Sequence, residues 1–316
     1  MNLLYIVSFT FACFMSLVLG WYLIPLLTKL KFGQSIRELG PQSHLKKSGT
    51  PTMGGFIFLT GFLCAIAITL NFDRETLLFI LGTAGMGLVG FFDDYLIIKN
   101  KKNEGLKPKQ KILGQFLVAI VLTGFVAHYF GTSIIIPFAN FSWDMGLLYY
   151  PFMVLFVITI ANAVNLTDGL DGLSSTVTFF NMGFFAIMAM SLGMASLAAS
   201  GFALCGGLLG FLYYNKYPAK VFMGDLGSLA LGGAIAAISM MTGLVLFVPI
   251  VGLIYVIETL SVTIQVLVFK KTKKRVFKMA PIHHHFELSG WNEKAIVLSF
   301  SAVTILMALL SLALIF

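Results

Sequence analysis

Long apolar runs separated by short polar loops recur along the whole chain, at about residues 3–28, 52–70, 76–98, 112–130, 150–164, 174–192, 195–214, 228–245, 247–269 and 295–316. Most of them approach the roughly 20 residues that a helix needs to cross the hydrocarbon of a bilayer. Because they are continuously apolar rather than alternating, helices and not barrel strands are expected to satisfy their backbone groups in lipid. The pattern predicts an all-α integral membrane protein of about ten transmembrane helices, a single polytopic domain over residues 1–316. Residues 131–150, with β-branched and aromatic side chains around Phe138–Trp143, leave room for a small hairpin in an outside connection.

Composition excludes a soluble globule. Hydrophobic residues make up 58% and charged residues 11%, where soluble domains carry typically about 25% charged residues. The mean hydropathy is +0.93.

Charge then orients the spans. Lys29, Lys31, Arg37, Lys46 and Lys47 follow the first run, and Lys99, Lys101, Lys102, Lys107, Lys109 and Lys111 follow the third. Lys216 and Lys220 follow the seventh, and Lys270, Lys271, Lys273, Lys274, Arg275, Lys278 and Lys294 lie between the ninth and tenth. Of the 21 Lys and Arg, only Arg74 falls on the opposite side. Positive-inside reasoning predicts both termini outside and these loops in the cytoplasm. The start of the chain lacks a basic n-region and is expected to be a retained span. Cys13, Cys64 and Cys205 all fall inside apolar runs without pairing spacing, so they predict neither a disulfide framework nor a zinc site.

Candidate chemistry gathers on the predicted cytoplasmic side. The stretch NAVNLTDGLDG, residues 162–172, sets Asn165, Asp168 and Asp171 three residues apart at the end of an apolar run. In a helical or 3₁₀-like turn they would share roughly one face, and Gly169 and Gly172 would let backbone approach a ligand. The same residues are ordinary turn formers, so a plain turn between helices stays open. The third run ends GMGLVGFFDDYLIIKNKK, with adjacent Asp93 and Asp94 still inside the apolar helix. Two carboxylates there repel each other unless a cation or a polar cavity receives them, and a solvated helix end stays open. Magnesium, which takes one or two carboxylates plus substrate phosphates, suits them. In GDLG, Asp225 is either an N-cap or a third acid for that ion.

The loop RELGPQSHLKKSGTPTMGG, residues 37–55, predicts a helix start with Thr50 as N-cap and Pro51 in the first turn. Its free N–H groups beside Lys46 and Lys47 would attract phosphate. Glu258 lies deep in the ninth run, where it is either functional or a tie between helices. His283, His284 and His285 are consecutive, and each helical step turns about 100°, so they are not expected to share one ion. The basic run before them could also face anionic lipid headgroups.

Taken together, GTPTMGG, FFDDYLIIK, NLTDGLDG and PIHHHFE, in this order and on one predicted side, resemble the bacterial phospho-N-acetylmuramoyl-pentapeptide transferases of the polyprenyl-phosphate N-acetylhexosamine-1-phosphate transferase superfamily. The resemblance spans essentially the whole chain, and HHHFE is the element that separates this branch from its sisters. It implies a multi-pass enzyme of the bacterial inner membrane, its active-site cleft facing the cytoplasm, that transfers phospho-MurNAc-pentapeptide from UDP-MurNAc-pentapeptide to undecaprenyl phosphate. The products would be lipid I, for peptidoglycan synthesis, and UMP, with Mg2+ as cofactor. By matching motif, the resemblance makes Asp93, Asp94 and Asp225 catalytic acids, Asp225 the direct magnesium ligand, and His283 an essential site residue. It places Asn165, Asp168, Asn215 and Phe222 around the nucleoside, with Phe222 stacked on uracil. Lys47, Thr52, Asp171, Gln265 and His284 would line the rest of the donor cleft. Membrane lipids are implied partners, nucleic acid is not, and a homodimer stays open. Two other activities compete: a sister GlcNAc-1-phosphate transferase, which should lack HHHFE, and a transporter of an anionic solute, which would release no UMP.

Overall fold

The computed structural model describes residues 3–30, 47, 49–70, 72–100, 105–139 and 141–315. Lys31, Arg37, Lys46, Lys101 and Lys102, on which part of the orientation argument rests, lie outside the described residues.

Helices follow the apolar runs. They are α1 (Leu3–Lys29), α2 (Gly55–Thr69), α3 (Arg74–Asn100), α4 (Pro108–Phe130), α5 (Tyr149–Thr167), α6 (Leu173–Ser191), α7 (Ala195–Asn215), α8 (Gly224–Met241), a one-turn α9 (Val248–Val251), α10 (Leu253–Thr272), the short α11 (Ile282–Glu287) and α12 (Glu293–Ile315). Among the described residues, nine are long and apolar enough to cross a membrane. Helix α2, with 15 residues, is shorter than the roughly 20 expected of a span. The ninth apolar run is interrupted at Gly252 between α9 and α10.

The start of α2 corrects the sequence expectation. Thr50 and Pro51 do not open the helix, which begins after Gly54. Instead, residues 51–55 pair along the loop before α8: Phe222 N donates to Pro51 O at 2.8 Å, Gly54 N to Phe222 O at 2.8 Å and Gly55 N to Met223 O at 2.9 Å. Long-range backbone pairing satisfies groups that a local cap would otherwise serve.

Helix α8 is the centre of the bundle. Every residue from Leu226 to Met241 is buried, as expected of a helix apolar all round. It packs along α3 and α5, and its many Gly and Ala residues permit close helix approach. Helix α6 also packs on α8, and α7 joins α6 to α1. At the end of the bundle where α4 stops and α5 starts, β1 (Ser133–Ile136) and β2 (Phe141–Asp144) make the expected hairpin, antiparallel with Ser133 opposite Asp144. It is tied to the bundle by Ile135 N donating to Gly243 O at 2.8 Å.

Candidate active site

The acids meet at the other end. Asp93 and Asp94, in the last turns of α3, are 7% and 5% exposed. One turn earlier lies Gly90, where any Cβ would overlap the backbone carbonyl of Asp225. Only glycine lets α3 come this close to the start of α8. Asp94 therefore reaches across that start, accepting from Asp225 N at 3.1 Å and from Leu226 N at 3.0 Å. Those N–H groups have no partner within their own helix, and a carboxylate there also meets the positive end of the helix dipole. Asp94 caps α8, so Asp225 is not its N-cap.

Freed from capping, Asp225 turns toward α4 and α5. Its Oδ2 accepts from Lys111 Nζ, and its Oδ1 accepts from Asn165 Nδ2 at 2.8 Å. Asn165 also donates to Ser228 Oγ at 2.8 Å. The Lys111 ammonium lies 3.4 Å from Asp93 Oδ2, while Asp93 Oδ1 accepts from Leu106 N at 2.7 Å. One cation thus bridges two carboxylates from different helices. Beneath it, the Asn162 and Gln115 amides tie α5 to α4, with Asn162 Nδ2 donating to Gln115 Oε1 at 2.7 Å.

A second cluster forms on the far side of the 168–172 turn. Lys47 Nζ lies 2.7 Å from Asp171 Oδ1 and 2.7 Å from Glu293 Oε1. Glu293 Oε1 also accepts from Asp171 N at 2.6 Å, and Asp171 Oδ2 accepts from Ala219 N at 2.9 Å. Burial of the Lys47 ammonium opposes its charge, but hydrogen bonds and attraction from Asp171 and Glu293 outweigh that and raise its pKa. The expectation that Asn165, Asp168 and Asp171 share one face is corrected here. Helix α5 ends at Thr167, so Asn165 faces Asp225 and Asp171 faces Lys47. Asp168 lies between the two clusters. Enclosure by protein, followed by the charges of Asp225, Asp94 and Asp171, pushes its carboxyl up to about 8. That shift favours the protonated carboxyl, which can donate a hydrogen bond.

The remaining candidates build the walls. Thr52 is buried against Gly224, and the half-buried Phe222 sits in the loop pinned by Pro51 and Gly54. Asn215 supports that loop from below: its Oδ1 accepts from Ser175 Oγ at 2.7 Å and its Nδ2 donates to Val221 O at 3.0 Å. Gln265 clamps the loop after α10, accepting from Val276 N at 2.9 Å and Phe277 N at 3.0 Å. It also lines a groove of about 440 Å³ with Val262, Val266, Phe269, Lys270 and Arg275. The three histidines diverge, as expected: His283 Nδ1 meets Glu258 Oε1 at 3.0 Å, His284 Nδ1 meets Glu287 Oε2 at 2.7 Å, and His285 Nδ1 accepts from Lys278 N at 3.2 Å.

Among the described residues, no group of three or more His, Cys, Asp or Glu side chains is placed to hold a metal ion. A divalent ion shared with substrate phosphates needs only one or two carboxylates. Asp93 and Asp225 already converge on a single cation, so the residues fit.

Residues 76–243 match the model of glycosyl transferase family 4, and residues 47–59 match signature 1 of the phospho-N-acetylmuramoyl-pentapeptide-transferases. The phospho-N-acetylmuramoyl-pentapeptide-transferase of Thermoanaerobacter pseudethanolicus is 50% identical over 94% of both chains. That of Clostridium kluyveri is 50% identical over 96% of this chain and 97% of its own, and that of Carboxydothermus hydrogenoformans is 51% identical over 94% of each. The chain belongs to this transferase family. The signature covers the segment carrying Lys47 and Thr52, and the family 4 match covers both acid motifs and Asp225.

Sequence reasoning did not single out Lys111 and Glu293, which the structure places against the candidate residues Asp93, Asp225, Lys47 and Asp171. Lys111 ends a basic run and resembled a positive-inside lysine, although its place against the apolar run at 112 was a signal. Glu293 opens α12 and resembled an acid at a helix start.

Proposed function

We propose that the chain transfers phospho-MurNAc-pentapeptide from UDP-MurNAc-pentapeptide to undecaprenyl phosphate, yielding lipid I and UMP, at the cytoplasmic face of the bacterial inner membrane. The observation that carries this reading is the convergence of Asp93 and Asp225 on one ammonium, beside the capped start of α8, in a chain of this family. The acceptor phosphate is dissolved in the bilayer and the nucleotide sugar in the cytosol. A site where helix ends meet polar loops serves both.

Phosphoryl transfer needs positioning and charge neutralisation more than covalent help. Magnesium held by Asp225, with Asp93 beside it, would neutralise the donor diphosphate. Both Asp94 oxygens are engaged by α8 backbone, whereas Asp93 spends one on Leu106 N and keeps a long contact to Lys111. Asp93 is therefore the acid assigned to orient the acceptor's remaining proton. A phosphate monoester is already largely dianionic at neutral pH, its second pKa being about 6, so the acceptor attacks the sugar-linked phosphorus directly. Asn165, Asp168, Asn215 and Phe222 form the nucleoside side. His283 is assigned as an essential site residue, and Lys47, Thr52, Asp171, Gln265 and His284 form the rest of the donor cleft.

The test is UMP release from UDP-MurNAc-pentapeptide with and without undecaprenyl phosphate. UMP is expected only with both present. A stoichiometric burst from donor alone would overturn direct displacement, and solute movement without UMP would overturn the transferase reading. Preference for UDP-GlcNAc over the muramoyl donor would favour the sister activity.

The uracil pocket has its own test. Stacking a base on an aromatic ring contributes about 1–3 kcal/mol, so Phe222→Ala should weaken donor binding roughly 5- to 150-fold. Phe222→Trp should retain much of it. Loss of acceptor affinity with donor affinity kept would move Phe222 to the lipid side.

A further inference from the structure

One member of a buried pair, Glu258, is given no role by the mechanism above. Glu258 in α10 and His283 in α11 are both 0% exposed, and Glu258 Oε1 meets His283 Nδ1 at 3.0 Å. Each keeps a second polar atom, Glu258 Oε2 and His283 Nε2, without a hydrogen-bond partner among the described residues. Buried groups of this kind are costly and call for an explanation. The ring's position supplies one: His283 Nε2 lies against Gly169, where any Cβ would overlap it. Gly169 follows Asp168 in the turn that separates the two site clusters. A simple staple between α10 and α11 would require neither a carboxylate nor a ring aimed at that turn.

We propose that Glu258 is a positioning residue that fixes the tautomer and plane of His283, so that Nδ1–H is donated to Glu258 and Nε2 is held against the Asp168–Gly172 turn. The carboxylate accepts and cannot donate, so it selects the Nδ1-protonated ring. Nε2 is then the atom left to act at the turn. This inference rests on the transferase reading of the site.

Glu258→Gln keeps size but offers an amide that can either accept from or donate to Nδ1, so the ring is no longer held to one tautomer. Loss of a carboxylate that orients a functional histidine through its other ring nitrogen costs about 10- to 100-fold in metal-site cases, and that fall is expected in kcat. Because the cleft keeps its shape, the donor KM should stay within about threefold. In a double-mutant cycle with His283→Gln, the second substitution should add little, since both act through one ring. Turnover within about threefold of the parent, or independent multiplying effects, would overturn the proposal. Should Glu258→Gln fail to fold, ring 15N spectra of the parent protein decide the matter: a neutral, Nε2-protonated His283 refutes it. Full turnover in His283→Gln would refute the placement of His283 in the site itself. An inactive His283→Gln beside a fully active Glu258→Gln would refute only the positioning role.

Discussion

Asp225→Asn should reduce turnover by at least about a hundredfold, on the scale seen when one preorganised electrostatic group is removed from an active site. The substitution is nearly isosteric, so it opens no cavity, and it leaves the start of α8 capped because the cap is Asp94. Helical content should therefore change little, and the thermal midpoint in detergent should fall by no more than the partly screened loss of one side of the Lys111–Asp225 pair, while activity collapses. Asp94→Asn gives the contrast. It weakens the carboxylate that satisfies Asp225 N and Leu226 N, so it should lower the midpoint as well as the rate, by about 0.5–2 kcal/mol on the scale of cap losses. Near-parent turnover of Asp225→Asn at limiting magnesium would remove Asp225 from the reaction.

The contrast between these neighbouring acids marks what the sequence made legible. Asp93, Asp94 and Asp225 stood out because carboxylates at the ends of apolar runs are costly and need partners. Which acid caps and which faces the cation depends on the approach of α3 to α8 at Gly90, and no local pattern encodes that approach. The helices were legible for the same reason as the acids, since in lipid an apolar run has little choice but to satisfy its own backbone. Where the chain leaves the apolar region, local rules lost to long-range pairing: Thr50 and Pro51 had the chemistry of a helix start, yet the segment pairs with Phe222 and Met223. Partners remote in sequence were equally hidden. Glu258, legible as either functional or a tie between helices, meets His283 from 25 residues away, and Glu293, which alone resembled an acid at a helix start, meets Lys47 from 246 away.

Lys111→Met tests whether the ammonium is the counter-charge that lets these acids coexist. The substitution keeps much of the side chain's length and removes its charge, leaving Asp93 and Asp225 facing each other with Asp94 close behind. Breaking a buried ion pair on one side costs about 3–5 kcal/mol. The Lys111 and Asp225 side chains keep 19% and 26% of their surface, so water screens part of the repulsion and the loss should fall at or below the lower end of that range. The expected result is a lower thermal midpoint in detergent without magnesium. Added magnesium should restore more of the midpoint in Lys111→Met than it adds to the parent, because an ion that binds only the folded site stabilises it by mass action and here replaces a missing charge. Lys111→Arg, which keeps the charge, should need no such rescue. An unchanged midpoint in Lys111→Met, with magnesium acting equally on variant and parent, would mean that Asp93 and Asp225 do not depend on Lys111 and do not form the cation site assigned to them.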